Sequence, residues 1–504
     1  MTNCVYAGTF TGSGSRASPS VACPGDLITF SAWVVDSGGT VTIMNTDGDC
    51  NVTTTTNSVS ATPQWTWSVN GCSDSSRGQV CSVAFELPNP GTYTCNFTAT
   101  VANCPDSPLQ MNLSASATVA GLVVSNVSFT GTSEFNILQD NGSGQYSAPH
   151  WTPTNSSPVG YVANTTGAVT AVFAMVPTNL ACGSSVIIRG DGPNGLSIPA
   201  TTCTVVNGAA TLNGTFSNAF PNQVGFLNPL TINWNYSGDD GYTFHPAGAS
   251  ANPVYITLTN PVTMTPNLYR TVLHLACSNP GATTSNVAVA NTWALFAGPA
   301  NVTTWNGQTL YYYEPGHGFA GTCLDTAQLL TNASHNGQCG AWAHLFIDSV
   351  AVNGAAANWV NIAPVSATDF AFLITNWSFR AASFSNTPPY TWKLQFATPN
   401  MDMVPIPSGN VYGDLTSLTG TSGQNSTTPA EKVFNLHFIV CCNGTYYDPS
   451  YGVTYEDAAD FESKAVTGYG ELLPGDNPPG YTNLILRVRQ PSGSVGIYFD
   501  PLCP

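Results

Sequence analysis

Three residues far apart in the chain have the chemistry of a nucleophilic site: the thiol of Cys339, the imidazole of His437 and the carboxylate of Asp448. Cys339 follows Gly337-Gln338 and opens the stretch Gly340-Ala341-Trp342-Ala343-His344-Leu345-Phe346. Its apolar residues recur at spacings of three to four, as in a buried helix. A thiol at a helix N-terminus lies at the positive end of the helix dipole, which favours the thiolate, the nucleophilic form. Taken alone, such a cysteine reads more readily as a structural thiol, the commoner role in secreted chains.

The second stretch changes that balance. Residues Phe434 to Gly452 read as two short strands around Asn443-Gly444, the dipeptide of a tight hairpin turn. With that turn, Cys442 faces Thr445, Ile439 faces Asp448 and His437 faces Ser450. Alternation then puts His437, Ile439 and Asp448 on one face, with His437 and Asp448 as diagonal neighbours. A carboxylate in that place fixes the imidazole tautomer and stabilises its protonated form. A slip of one residue would break the arrangement.

Gly-Gln-Cys ahead of a helix, a strand histidine, and then Tyr447-Asp448-Pro449-Ser450-Tyr451-Gly452 resembles the transglutaminase-like branch of the papain-type fold. The resemblance covers about the last half of the chain. It implies Cys339 as nucleophile, His437 as the base and Asp448 as its orienting partner. Gly340 stands where many animal transglutaminases carry Trp. No side chain is assigned as the second oxyanion donor.

Composition narrows the setting. A chain of 504 residues is expected to hold two to four domains and several cores. Only 7% of residues are charged, and Gly, Pro, Ser, Thr and Asn are abundant, which suits strands and turns. The net charge of -17, with ten Lys and Arg in all, excludes a phosphate-binding face and hence nucleic acid. No run of eighteen apolar residues is present, so no membrane span is expected. The opening Met1-Thr2-Asn3-Cys4 lacks the basic and apolar regions of a secretory leader.

Fifteen cysteines without a Cys-x-x-Cys spacing point to disulfides rather than zinc. If Cys339 is the free nucleophile, fourteen remain to pair. Asn-x-Ser/Thr sequons from Asn51 to Asn443 agree with an extracellular, secreted or cell-surface location and with N-linked glycans. The acidic turns Asp47-Gly48-Asp49 and Asp239-Asp240 read as hairpin turns rather than calcium loops. No metal and no cofactor are expected.

The fold class expected is multidomain and mainly β. Residues 1–120 read as an immunoglobulin-like β-sandwich, with an inward Trp from Gln64–Val69 and Tyr93 two residues before Cys95. A Cys23–Cys95 bridge is the candidate inter-sheet disulfide, since Ala32 stands where antibody-type domains have their first cysteine. Residues 121–262 read as a second β-sandwich-like domain, with strands near 122–129, 168–175, 186–189, 230–234 and 254–258. Residues 263–504 form the α+β transglutaminase-like part. Helices are expected at 285–296, 326–330 and from Cys339, strands at 367–396 and 433–448, and a surface loop at 406–430 that can roof the site.

Among the other histidines, His317 in Pro315-Gly316-His317-Gly318 is the rival base, and His344 lies five residues beyond the thiol, pointing away from it. Asp348 reads as structural. Cys441 and Cys442 read as members of separate disulfides, and Cys503 as a pin for the C-terminal tail.

The function expected is an extracellular thiol acyl-transfer enzyme, carrying out protein transamidation or amide hydrolysis through a Cys-His-Asp triad. Its substrates would be extracellular or cell-wall proteins and peptides. With only Lys393, Lys432 and Lys464 as lysines, extensive self-crosslinking through lysine is disfavoured. The alternative is a structural cell-surface or filament-forming glycoprotein, self-associating into a polymer, in which the transglutaminase-like part is an idle scaffold.

Overall fold

The computed structural model describes the chain except residues 1, 19–20, 23–26, 47–51, 60–63, 70–71, 78–79, 87–90, 102–108, 132–133, 177–184, 239, 299–300, 315–316, 319–322, 366–368, 375–389, 392–410, 413–421, 428–432, 435, 472–486, 490–493 and 504. The architecture is mainly β. None of the described helices is long and apolar enough to cross a membrane.

The N-terminal strands form two sheets. One joins Thr2–Ser18, Leu27–Thr46, Val52–Val59 and Val80–Glu86; the other joins Val21–Ala22, Gln64–Val69, Cys72–Arg77, Gly91–Val101 and Leu109–Val119. Ile28 and Phe30 of the first sheet and Cys95, Phe97 and Ala117 of the second share one core, as period-2 alternation requires. Cys23 and the side chains of Trp65 and Trp67 lie outside the described residues. The thiol that raises the pKa of Cys95, after burial itself, is Cys81 on the opposite sheet, and together they take it to about 12.

Eleven strands between residues 121 and 257 make a large curled sheet. Strands form at all five expected places, Gly121–Thr130, Ala168–Val176, Ser185–Asp191, Gly225–Ser237 and His245–Thr257, the last ending one residue short of the expected Leu258. Ala168–Val176 alternates partly exposed and buried residues almost throughout, the signature of a strand on a core. Two further strands, Ser197–Val206 and Ala209–Thr215, meet at Asn207-Gly208, both at positive φ. That turn had the same Asn-Gly signal as the histidine hairpin. Asp47 and Asp49 lie outside the described residues, and Asp240-Gly241 is a positive-φ turn.

Beyond residue 263 the described chain mixes helices with two larger sheets and a two-stranded parallel pair, Tyr311–Tyr312 with Asn336–Gly337. Helices α1 (Arg270–Cys277), α2 (Ser285–Trp293), α3 (Thr326–Thr331), α4 (Cys339–Ala351) and α5 (Ala458–Ala465) follow in order. Thr284 caps α2, Asp325 caps α3 and Asp457 caps α5 through side-chain oxygens that accept main-chain N–H groups. α4 is buried nearly all round, which its run of Ala, Trp, Leu, Phe and Val requires. One five-stranded sheet runs in the order Val453–Tyr455, Thr445–Asp448, His437–Cys442, Ala357–Pro364 and Ile497–Asp500. A six-stranded sheet includes Asp369–Ile374 and Val466–Glu471.

Candidate active site

The site is assembled from the start of α4 and the hairpin 437–448. Cys339 is the first residue of α4, and Gln338 before it is extended. The segment ahead is held in place by the Gln338 N–H, which donates to the Cys323 carbonyl at 3.1 Å. A Cβ at Gly340 would lie 3.0 Å from the Leu324 carbonyl. That crowding gives a physical reason for glycine at this position.

The hairpin pairs Cys442 with Thr445, Cys441 with Tyr446 and Val440 with Tyr447 around Asn443-Gly444, both at positive φ. In this register the strand histidine and the strand aspartate meet. His437 Nε2 donates to Asp448 Oδ2 at 2.9 Å, and both side chains are fully buried. The Ser450 N–H donates to Asp448 Oδ1 at 3.1 Å. The Asp448 carbonyl accepts the Gly452 N–H at 2.8 Å and closes the turn. The carboxylate therefore has a fixed direction.

Burial works against a charged imidazole, but the Asp448 carboxylate outweighs it, and a hydrogen bond to Cys339 adds to the effect. The net result lifts the His437 pKa from 6.5 to about 10. With Nε2 taken by Asp448, Nδ1 is the ring nitrogen left to serve the thiol. The structure thus brings together all three residues, Cys339, His437 and Asp448.

The remaining candidates lie elsewhere. His317 is exposed and stacks on Tyr311 at 4.0 Å. Asp348 accepts from the hydroxyls of Thr265 at 2.7 Å and Thr326 at 2.6 Å and from the Asn267 amide at 3.2 Å, a structural hub. Cys441 is bonded to Cys503, which ties the tail to the histidine strand. Cys442 carries a free thiol rather than a disulfide. Burial pushes its pKa to about 11. Burial, assisted by Asp325, takes Cys323 to about 12, so neither thiol ionises readily near neutrality.

Most of the 406–430 segment lies outside the described residues; within 422–427 Gln424 is buried, its neighbours are half-buried and Thr427 is exposed. The Gln424 N–H donates to the Ser450 carbonyl, and its side-chain amide donates to the Phe296 carbonyl at 2.6 Å. Glu314 holds the end of this segment, accepting the Thr427 N–H at 2.7 Å and the Thr427 hydroxyl at 2.8 Å. A Gly-, Ser- and Thr-rich composition carries no sign of such burial. Tyr451 and Tyr312 complete the surroundings: the rings of His437 and Tyr451 lie 5.9 Å apart, and those of Tyr451 and Tyr312 5.1 Å.

No family model matches this chain, and no curated protein does. Among solved structures, dimeric latent PorU from Porphyromonas gingivalis matches at 10% identity and a TM-score of 0.16, covering 51% of this chain and 20% of that one. The CupB6 tip adhesin from Pseudomonas aeruginosa matches at 8% identity and a TM-score of 0.14, over 51% of this chain and 99% of that one. A carbohydrate-binding module of the β-sandwich superfamily matches at 9% identity and a TM-score of 0.13, over 50% and 97%. Likenesses at these TM-scores assign neither a family nor a function.

Proposed function

We propose that this chain is an extracellular thiol acyl-transfer enzyme. Cys339 attacks the carbonyl of an amide as a thiolate whose proton already resides on His437, the imidazolium returns that proton to the leaving amine, and Asp448 orients and stabilises the imidazolium. The acyl group then passes from the thioester to an amine or to water. The observation that carries the reading is the position of His437, bonded through Nε2 to Asp448 at 2.9 Å and close enough to the thiol at the start of a buried helix for Cys339 to raise its pKa. On this reading, residues 263–504 are the transglutaminase-like part, residues 1–120 an immunoglobulin-like sandwich and residues 121–262 a second sandwich. The substrates are extracellular or cell-wall proteins and peptides. The Cys441–Cys503 disulfide supports an oxidising compartment.

The test is iodoacetamide labelling of the native, unreduced protein from pH 5 to 9, read by peptide mass. Labelling confined to Cys339, fast below pH 7 and slowed in His437→Ala, is the expected result. No labelling at Cys339 would refute the reading.

One observation favours the alternative, a surface or filament protein with an idle site. Cys339 is only 7% exposed, and His437 and Asp448 are fully buried. Elution as a polymer together with an inert Cys339 would decide for it.

A further inference from the structure

One buried group beside Cys339 has no task in the scheme above. Tyr312 is 2% exposed, and the hydrogen-bonding neighbour of its hydroxyl among the described residues is the Tyr451 side chain. A phenol hydroxyl both donates and accepts, so one tyrosine neighbour leaves it capacity for a further hydrogen bond beside the nucleophile.

The backbone fixes where this phenol stands. Tyr311–Tyr312 runs parallel to Asn336–Gly337, with Tyr312 opposite Gly337, two residues before Cys339. The Tyr313 N–H donates to the Gly337 carbonyl at 3.3 Å. Trp342, one turn into α4, donates its indole N–H to the Tyr311 carbonyl at 3.2 Å. The tyrosine pair is thereby bolted to the first turn of the helix that carries the thiol. From the other side, a Cβ on Gly423 would collide with the Tyr312 ring, so that loop presses the ring into place. Burial, with Tyr451 and Cys339 close by, holds the phenol well above its ordinary pKa, so it keeps its proton near neutral pH.

We propose that the Tyr312 hydroxyl is a catalytic donor that, with the backbone N–H of Cys339, holds the oxyanion formed when Cys339 attacks a carbonyl. The inference rests on the acyl-transfer reading and supplies the second donor that reading lacks. As the Cys339 Sγ–C bond forms, the carbonyl π pair moves onto oxygen. The phenol and the N–H, which as a helix's first has no intrahelical acceptor, donate to that oxygen without transferring a proton. Collapse of the adduct expels the leaving group and regenerates the carbonyl as a thioester.

Two probes separate this role from others. Alkylation of Cys339 by iodoacetamide needs the thiolate but forms no oxyanion, whereas acylation by 4-nitrophenyl acetate forms one and releases 4-nitrophenolate. Tyr312→Phe keeps the ring against Gly423 and removes only the hydroxyl. The expected result is an unchanged alkylation rate with acylation slowed about 10²-fold, the usual effect of losing one oxyanion donor. Equal acylation rates in the variant and the parent would overturn the proposal. So would an equal loss in both reactions, which would make Tyr312 a residue that acts on the thiol itself. A parent protein that is not alkylated at all would refute the acyl-transfer reading, and with it this one.

Discussion

His437 Nε2 lies 2.9 Å from Asp448 Oδ2, with both side chains completely withdrawn from water. A charge pair so placed is held by mutual attraction and by the Ser450 N–H on the second carboxylate oxygen. Removing one partner leaves the other unpaired in a low-dielectric interior. Asp448→Ala is therefore expected to cost about 3–5 kcal/mol of stability. Denaturant unfolding of the variant beside the parent measures it, and a loss below about 1 kcal/mol, typical of an exposed pair, would contradict the burial.

The same pair sets a pH dependence. His437 binds its proton more tightly in the folded state, up to about 10, than at its ordinary 6.5. The stabilisation is thus fully present below about 6.5 and is lost as pH rises toward 10, since across that window the unfolded chain has released a proton the native one keeps. Thermal unfolding of the parent should fall between pH 6.5 and 9.5 more steeply than that of His437→Gln. Parallel curves would remove His437 as the source.

The disulfide between Cys441 and Cys503 spans 62 residues. Loop-closure entropy for a span of that size gives roughly 4 kcal/mol of stabilisation. Cys503→Ser should lower the unfolding midpoint accordingly and leave Cys339 alkylation intact in the folded protein, because the tail bonds to the far end of the histidine strand. Loss of alkylation in a variant that remains folded would show that the tail positions His437.

Glu314 receives the Thr427 N–H and hydroxyl in a buried setting. Hydrogen bonds to a charged acceptor are worth about 1.5–3 kcal/mol each. Glu314→Gln should raise amide hydrogen exchange of a peptide covering 422–427 at least about tenfold, leaving α4 protected. Unchanged exchange in that peptide would show that Glu314 does not hold the segment.

The sequon at Asn425 is sterically committed. Its side-chain amide donates to the Val302 carbonyl at 2.8 Å and the Leu310 carbonyl at 2.7 Å. A glycan on that nitrogen is incompatible with both bonds. Folded protein from a glycosylating host should show an unmodified Asn425 peptide by mass, and a hexose-bearing Asn425 peptide in folded material would contradict this packing.

The parts of this structure legible in the sequence are those set by local rules. Asn443-Gly444 fixes a two-residue turn, the turn fixes the register, and the register brings His437 and Asp448 together. α2 and α3 open on capping oxygens, and α4, which has none, follows from its apolar spacing. α1 and α5 are not among the expected helices, although α5 opens on an Asp457 cap; α1 has no side-chain cap to mark its start. Tyr312 and Gln424 were beyond reach for another reason. Tyr312 gains its place from a parallel bridge to Gly337, 25 positions on, and Gln424 from carbonyls more than a hundred positions earlier. Neither contact leaves a periodic trace in the residues around it.

The Cys441–Cys503 bond also turns the end of the chain into a ring. Asp448 lies on that ring, while His437 lies four residues outside it and Cys339 far outside. A single backbone cut anywhere between the two cysteines severs no piece from the molecule. The final strand, Ile497–Asp500, stays covalently joined to the strand of His437 and hydrogen-bonded to Ala357–Pro364. A nicked protein would run as one species until reduced and as two afterwards, and only a cut ahead of Asp448 would leave His437 and Asp448 on different fragments.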